Sequence, residues 1–119
     1  MKIAVDAMGG DFAPEATVKG AILAKKVLLA NEQIVLFGDK EQIVEQIVKQ
    51  NGSATDFEIV HCTEVIGMGE HPAKAFSKKQ DSSITVGFKW LAQNKIDGFA
   101  SAGNTGAMLV GTMYTVKSV

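Results

Sequence analysis

Two apolar runs, each ending in a glycine-rich corner and each leading into a helix-forming segment, limit what this chain can become. The first, Ile3-Ala4-Val5, runs into Asp6-Ala7-Met8-Gly9-Gly10-Asp11 and then Pro14. The second, Ile96 to Ala102, feeds Ser101-Ala102-Gly103-Asn104-Thr105-Gly106. Adjacent glycines let backbone approach a ligand closely and allow positive φ, while a helix start aims free N–H groups at negative charge. Strand, tight glycine turn and helix in that order is how α/β proteins hold anions. Two copies suggest one shared pocket.

Between the two corners, strands and helices alternate. Strand one covers Lys2 to Ala7 and is almost continuously apolar, as befits a strand buried on both faces. A helix is predicted from Pro14 to Ala30, with Val18, Ala21, Ile22 and Leu29 on its apolar stripe. Pro14 suits its first turn, where a missing N–H costs nothing. Ile34 to Phe37 forms strand two. Asp39 and Gln42 have capping-box spacing, Ile43, Val44, Ile47 and Val48 build one apolar face, and Asn51-Gly52 stops the helix. A polar loop at Ser53 to Asp56 leads to strand three, Phe57 to His61. From Cys62 to Glu70 the periodicity is lost, and Gly67-Met68-Gly69 reads as a mobile surface loop. Pro72 opens a short helix, and Asp81-Ser82 caps another that buries Ile84, Phe88, Leu91 and Ala92 and ends at Asn94-Lys95. Strand four is Ile96 to Ala102, and Gly106 to Val119 forms a last helix rich in Met, Leu and Val, left uncapped.

This alternation predicts a mainly parallel sheet wrapped by helices, one α/β unit over residues 1–119. If strands one and four are neighbours, the winding reverses between them, and a ligand site opens beyond their carboxyl ends. Gly9-Gly10 and Gly103-Asn104 would then meet.

The rest of the composition narrows the function. Apolar residues make up 46%, which excludes disorder, and a net charge of −1 with no basic cluster beyond Lys78-Lys79 argues against nucleic acid. The single cysteine, Cys62, cannot pair internally and fits a reducing, cytoplasmic compartment. There is no signal-like apolar stretch at the start and no run long enough to span a bilayer. Neither G-x-G-x-x-G nor the phosphate-loop motif occurs. His61, Cys62 and His71 lack metal-ligand spacing, and the side chain of His61 should point away from that of Cys62, so neither a metal nor a Cys-His nucleophile is expected. Asp6 and Asp11 would repel a phosphate. They can instead hold a lysine, orient a loop, take a metal or cap the helix, with capping the plainest role for Asp11. Ser101, Asn104 and Thr105 supply neutral donors at a helix start, suited to an oxyanion or a phosphate.

Lys2 to Asp11 closely resembles the opening of the phosphate acyltransferases of bacterial phospholipid synthesis, the PlsX family, and Ser101 to Ala107 resembles that family's second signature. Phe37-Gly38-Asp39, Glu64-Val65-Ile66, Lys78-Lys79 and Ser82-Ser83 fall between them in similar order. The similarity covers about the first third of a family member, so the chain looks like an N-terminal portion, inactive alone. Ala75-Phe76-Ser77 stands where the family often has more arginine, and Gly67 to His71 where it is commonly more acidic.

The resemblance implies transfer of a fatty acyl group from acyl carrier protein to orthophosphate. It also implies a three-layer α/β/α fold like that of isocitrate and isopropylmalate dehydrogenases, a homodimer, and a cytoplasmic enzyme with peripheral membrane association and no cofactor. On this reading Asn104, Ser101 and Thr105 are catalytic donors. Asp6, Gly9, Gly10, Asp11, Gly103, Gly106, Lys78 and Lys79 surround phosphate or substrate. Phosphate is itself a nucleophile at neutral pH, which agrees with the lack of a Ser-His or Cys-His pair. A nicotinamide-dependent dehydrogenase on the same fold and a non-catalytic anion-binding module are the alternatives.

Overall fold

The computed structural model describes residues 1–67, 69–103, 107 and 111. Its elements are β1 (Lys2–Asp6), α1 (Glu15–Lys25), β2 (Gln33–Gly38), α2 (Lys40–Lys49), β3 (Glu58–His61), α3 (Pro72–Lys78), α4 (Ser83–Ala92) and β4 (Gly98–Ala100). The four strands form one parallel sheet in the order β3-β2-β1-β4. Strands one and four are therefore neighbours, with Ile3 beside Gly98 and Val5 beside Ala100.

Successive strand residues face opposite sides, and the apolar run of β2 is divided accordingly. Ile34 and Leu36 pack with Ala7, Val18, Ala21, Ile43 and Ile47, beneath α1 and α2. Val35 and Phe37 pack with Ala4, Cys62 and Ile96, joined by Val86, Trp90 and Phe99. Chain direction explains the division. The steps β1 to β2 to β3 move one way across the sheet, and right-handed crossovers put both helices on one face. The step from β3 to the far side of β1 runs the other way, so α4 lies on the opposite face. Phe37 fastens it there, meeting Trp90 edge-on at 5.3 Å and Phe99 at 5.9 Å.

Local chemistry sets most of the boundaries. Asp39 accepts from the Gln42 N–H and begins α2. Asn51 takes a positive φ of 62°, and Gly52 N–H reaches back to the Ile47 carbonyl at 2.8 Å, which closes α2. Asn94, at φ 58°, closes α4 in the same way, with Lys95 N–H on the Trp90 carbonyl. Pro72 occupies the first turn of α3, and His71 Nδ1 accepts from Lys74 N–H.

Several expectations are corrected. Helix α1 stops at Lys25, because Lys26, Val27 and Leu28 turn back to carbonyls three residues earlier rather than continue the helix. Leu29 is consequently off the apolar stripe and 68% exposed. Pro14 sits one position before the helix, and Asp11 is exposed and does not cap it; α1 has no side-chain cap. Ser53 to Asp56 contains a single 3₁₀ turn. Strand four keeps only Gly98 to Ala100 of its predicted length. Ser82 alone caps α4, through Thr85 N–H, and Asp81 has another task. The tip of the Gly67–Gly69 loop at Met68 and most of the predicted last helix lie outside the described residues.

Asp81 ties the segment after β3 to the start of α4. Its carboxylate accepts from the Thr63 hydroxyl and, at 2.8 Å, from the Thr63 N–H. Those two bonds, the hydroxyl first, hold its carboxyl below the ordinary value of 3.8. A depressed native value adds stability that is present above 3.8 and is lost as the pH falls through that lower value. In denaturant titrations of the complete polypeptide between about pH 7 and pH 2, Asp81→Asn should lose stability less steeply at the acid end than the parent. Superimposable acid limbs would exclude this role.

Candidate functional site

The register of β1 and β4 decides where the two glycine corners go. Val5 pairs with Ala100, so the next residues, Asp6 and Ser101, leave the sheet side by side. Asp6 is 2% exposed. The Ser101 hydroxyl donates to Asp6 Oδ2 at 2.7 Å, across 95 positions of sequence. Ser101 Oγ in turn accepts from Gly103 N–H at 3.0 Å, and Asp6 Oδ1 accepts from Met8 N–H at 3.0 Å. One carboxyl group thus orients both corners. Of the roles weighed for Asp6, orienting a loop is the one its contacts fit.

The corners touch through glycine. A Cβ on Gly9 would stand 2.8 Å from Asp6 Oδ2, from Gly103 N and from Ser101 Oγ. Gly10 adopts φ 98°, a conformation side chains resist. Thr17, which the sequence reading passed over, anchors the helix behind: its hydroxyl lies 2.5 Å from the Ala7 carbonyl and 3.0 Å from that of Pro14. A threonine three residues after a proline at a helix start was the only local signal for it.

The same contacts redistribute the donors. The N–H of Gly103 is turned inward onto Ser101, and that of Gly9 makes a long 3.3 Å bond to the Asp6 carbonyl. The N–H groups of Gly10, Asp11 and Phe12, between the corner and α1, have no partner among the described residues. Ser101's proton is committed to Asp6. Asn104, Thr105 and Gly106 lie outside the described residues.

The lysine pair belongs to a different part of the molecule. Lys79 Nζ bonds Glu70 at 2.7 Å and the Val65 carbonyl at 2.8 Å, and that ammonium, followed by the Gly67 N–H, holds the Glu70 carboxyl below its usual range. Lys78 is exposed on α3. Both line a shallow cleft of about 200 Å³ with Glu70, His71, Lys74 and Ala75, and no corner residue takes part in it. Cys62 is buried, and loss of water pushes its thiol up to about 12, so it is not a nucleophile at neutral pH. His61 faces away from it, exposed, and accepts from Lys40 N–H at 3.0 Å. No three His, Cys, Asp or Glu side chains are grouped around a metal-sized site among the described residues.

The profile of a family described as "Fatty acid synthesis protein" matches residues 1–119. The chain belongs to that family. Within it, the chain is 50% identical over 109 residues to a protein of Dictyoglomus turgidum named "Phosphate acyltransferase", a match covering 92% of this chain and 32% of the relative. Proteins of the same name from Caldicellulosiruptor bescii and Endomicrobium trichonymphae match at 44% and 42%, each over 100% of this chain and over 35% and 36% of their own lengths. The chain spans about a third of these curated relatives.

For this fatty acid synthesis family member the contact at Gly9 makes a direct test. Gly9→Ala must push apart the Gly103 backbone and the Asp6–Ser101 pair, at a cost of about 1–3 kcal/mol. In the complete polypeptide it should lower the thermal midpoint by several degrees, measured by calorimetry. A variant with the parent's midpoint would refute the close contact of the corners.

Proposed function

We propose that the complete polypeptide transfers a fatty acyl group from acyl carrier protein to orthophosphate, producing acyl phosphate for phospholipid synthesis. What carries the reading is the meeting of the two glycine corners at the mouth between β1 and β4, in a chain whose relatives are named phosphate acyltransferases.

A phosphate oxygen attacks the thioester carbonyl; a C–O bond forms, the C–S bond breaks, and the carrier thiolate leaves and takes up a proton. Phosphate needs no activation by a protein nucleophile, which fits the inert Cys62. The protein's work is to bind phosphate, align it with the thioester, and stabilise the tetrahedral oxyanion. On this proposal phosphate lies against Gly9, Gly10 and Asp11, accepting from the unpaired N–H groups that begin at Gly10, with Gly103 and Gly106 forming the facing wall. Asn104 and Thr105 donate to the oxyanion. Asp6 and Ser101 act by holding the corners, since each already bonds the other. Lys78 and, if released from Glu70, Lys79 draw phosphate or an acidic carrier surface toward the site. No cofactor is required by this chemistry.

The proposal extends to the whole protein: a three-layer fold of the isocitrate/isopropylmalate dehydrogenase kind, a homodimer, and a cytoplasmic enzyme working at the membrane surface. No described helix is long and apolar enough to cross a membrane.

The test is to supply the complete polypeptide with acyl carrier protein thioester and phosphate and follow thiol release together with acyl phosphate. Phosphate binding without thiol release would mean an anion-binding module instead, and tight binding of a nicotinamide cofactor a dehydrogenase. Asn104→Ala should lower turnover on the order of a hundredfold while the fold is retained, equivalent to losing one good oxyanion donor worth on the order of 3 kcal/mol. Near-unchanged steady-state turnover would remove Asn104 from the mechanism.

A further inference from the structure

The stretch before α3 has no ladder to hold it, yet one of its residues is part of the core. After the bridge between Glu64 and Ser82, no strand or helix occurs among the described residues until Pro72. Val65 is 41% exposed there, but Ile66 is only 3% exposed. Ile66 belongs to a buried cluster with Ala75 of α3, Ile84 and Phe88 of α4, and Ala107.

Lys79 explains how Ile66 is seated. Its Nζ donates to the Val65 carbonyl at 2.8 Å and to Glu70 Oε2 at 2.7 Å, and that same oxygen accepts from Gly67 N–H at 2.5 Å. Both residues flanking Ile66 are thus tied to one ammonium, Val65 directly and Gly67 through Glu70. A lysine ammonium carries three donors, so it can serve two acceptors at once, and charge-assisted bonds of this length are the stronger kind. The lysine is itself anchored between α3 and α4. Its N–H bonds the Ala75 carbonyl at 2.8 Å, and its carbonyl accepts from Ser82 N–H at 3.2 Å.

Ala107 connects this cluster to the site. Ala107 and Gly111 are both helical, and Ala107 is fully buried. A Cβ on Gly111 would stand 2.4 Å from Phe88 and 2.9 Å from Phe76, so backbone and rings are already in contact. Asn104 and Thr105, the donors assigned above to the oxyanion, come immediately before Gly106 and Ala107 in the chain.

Resting on that acyl-transfer reading, we infer that Lys79 is a positioning residue: its ammonium clasps Val65 and Glu70, seats Ile66 in the cluster that holds Ala107, and so fixes the second corner where the oxyanion forms. Clasping and anion binding exclude each other, because an ammonium drawn away to phosphate or to a carrier surface gives up both acceptors.

Kinetics and hydrogen exchange on the complete polypeptide separate the two uses. Lys79→Met and Glu70→Ala should each lower kcat on the order of tenfold, with KM for phosphate and for the acyl carrier thioester within about twofold of the parent. The double variant should lose no more than either single one, since both break the same clasp. A substrate-binding Lys79 gives the opposite signs: Lys79→Met raises a KM, and Glu70→Ala, which frees the ammonium, lowers it. That pattern, or additive losses in the double variant, would overturn the inference. Exchange is read without any reaction. Peptides containing Ile66 and Ala107 should exchange on the order of tenfold faster in both variants, while those from α2 keep the parent's rate. Unchanged exchange at Ile66 would exclude the clasp, and faster exchange with an unchanged kcat would exclude its link to the second corner. Faster exchange in the variants of a parent that releases no thiol would count against acyl transfer and not against the clasp.

Discussion

The contact between the Asp6 carboxyl group and the Ser101 hydroxyl is the point on which the site depends. A carboxyl group 2% exposed must find partners, because an unpaired polar group in that setting costs several kcal/mol. Asp6 finds them on both sides: Met8 N–H on its own turn, and the Ser101 hydroxyl on a turn 95 residues away. Ser101 passes the connection to Gly103. The result is a fixed spacing between two turns that the sheet alone would bring close without orienting.

That contact exists only because the winding reverses between β1 and β4. Had β4 joined the sheet beyond β3, Asp6 and Ser101 would be three strands apart. The reversal also divides the core, with α1 and α2 on one face and Trp90, Val86 and Phe99 on the other. Phe37 links the two levels of organisation: it is fully buried in the central part of the sheet, and its edge contacts to Trp90 and Phe99 hold α4 and β4 in place. Packing far from the mouth thereby determines which turns face one another across it.

Much of this was legible in the sequence. Continuous apolar strands, the Asp39–Gln42 cap, the Asn51-Gly52 stop and Pro72 all mark local rules that the structure obeys, and the meeting of the glycine corners followed from assuming that strands one and four are neighbours. What was not legible depends on partners distant in the chain. Asp6 was a carboxylate with four candidate roles until its register with Ser101 selected one. Ser101 looked like a free donor, and Lys79 like a lysine available to phosphate or substrate, because nothing local reveals that each already has an acceptor in Asp6 or Glu70. Leu29 sat at helical spacing, yet the chain had left the helix before reaching it. Asp11 had the composition of a cap without the geometry, since the turn through Pro14 starts α1 without a side-chain acceptor.

The chemistry proposed here asks little of side-chain reactivity and much of placement. A buried thiol, histidines engaged as acceptors, and a carboxyl group turned into its own corner leave backbone N–H groups as the prominent donors at the mouth. A crystal structure of the complete polypeptide with phosphate bound tests this most directly. The account predicts phosphate between β1 and β4 with its oxygens about 3 Å from the N–H groups beginning at Gly10. Phosphate held instead in the α3 cleft by His71, Lys74 and Lys78, with the corners empty, would contradict it.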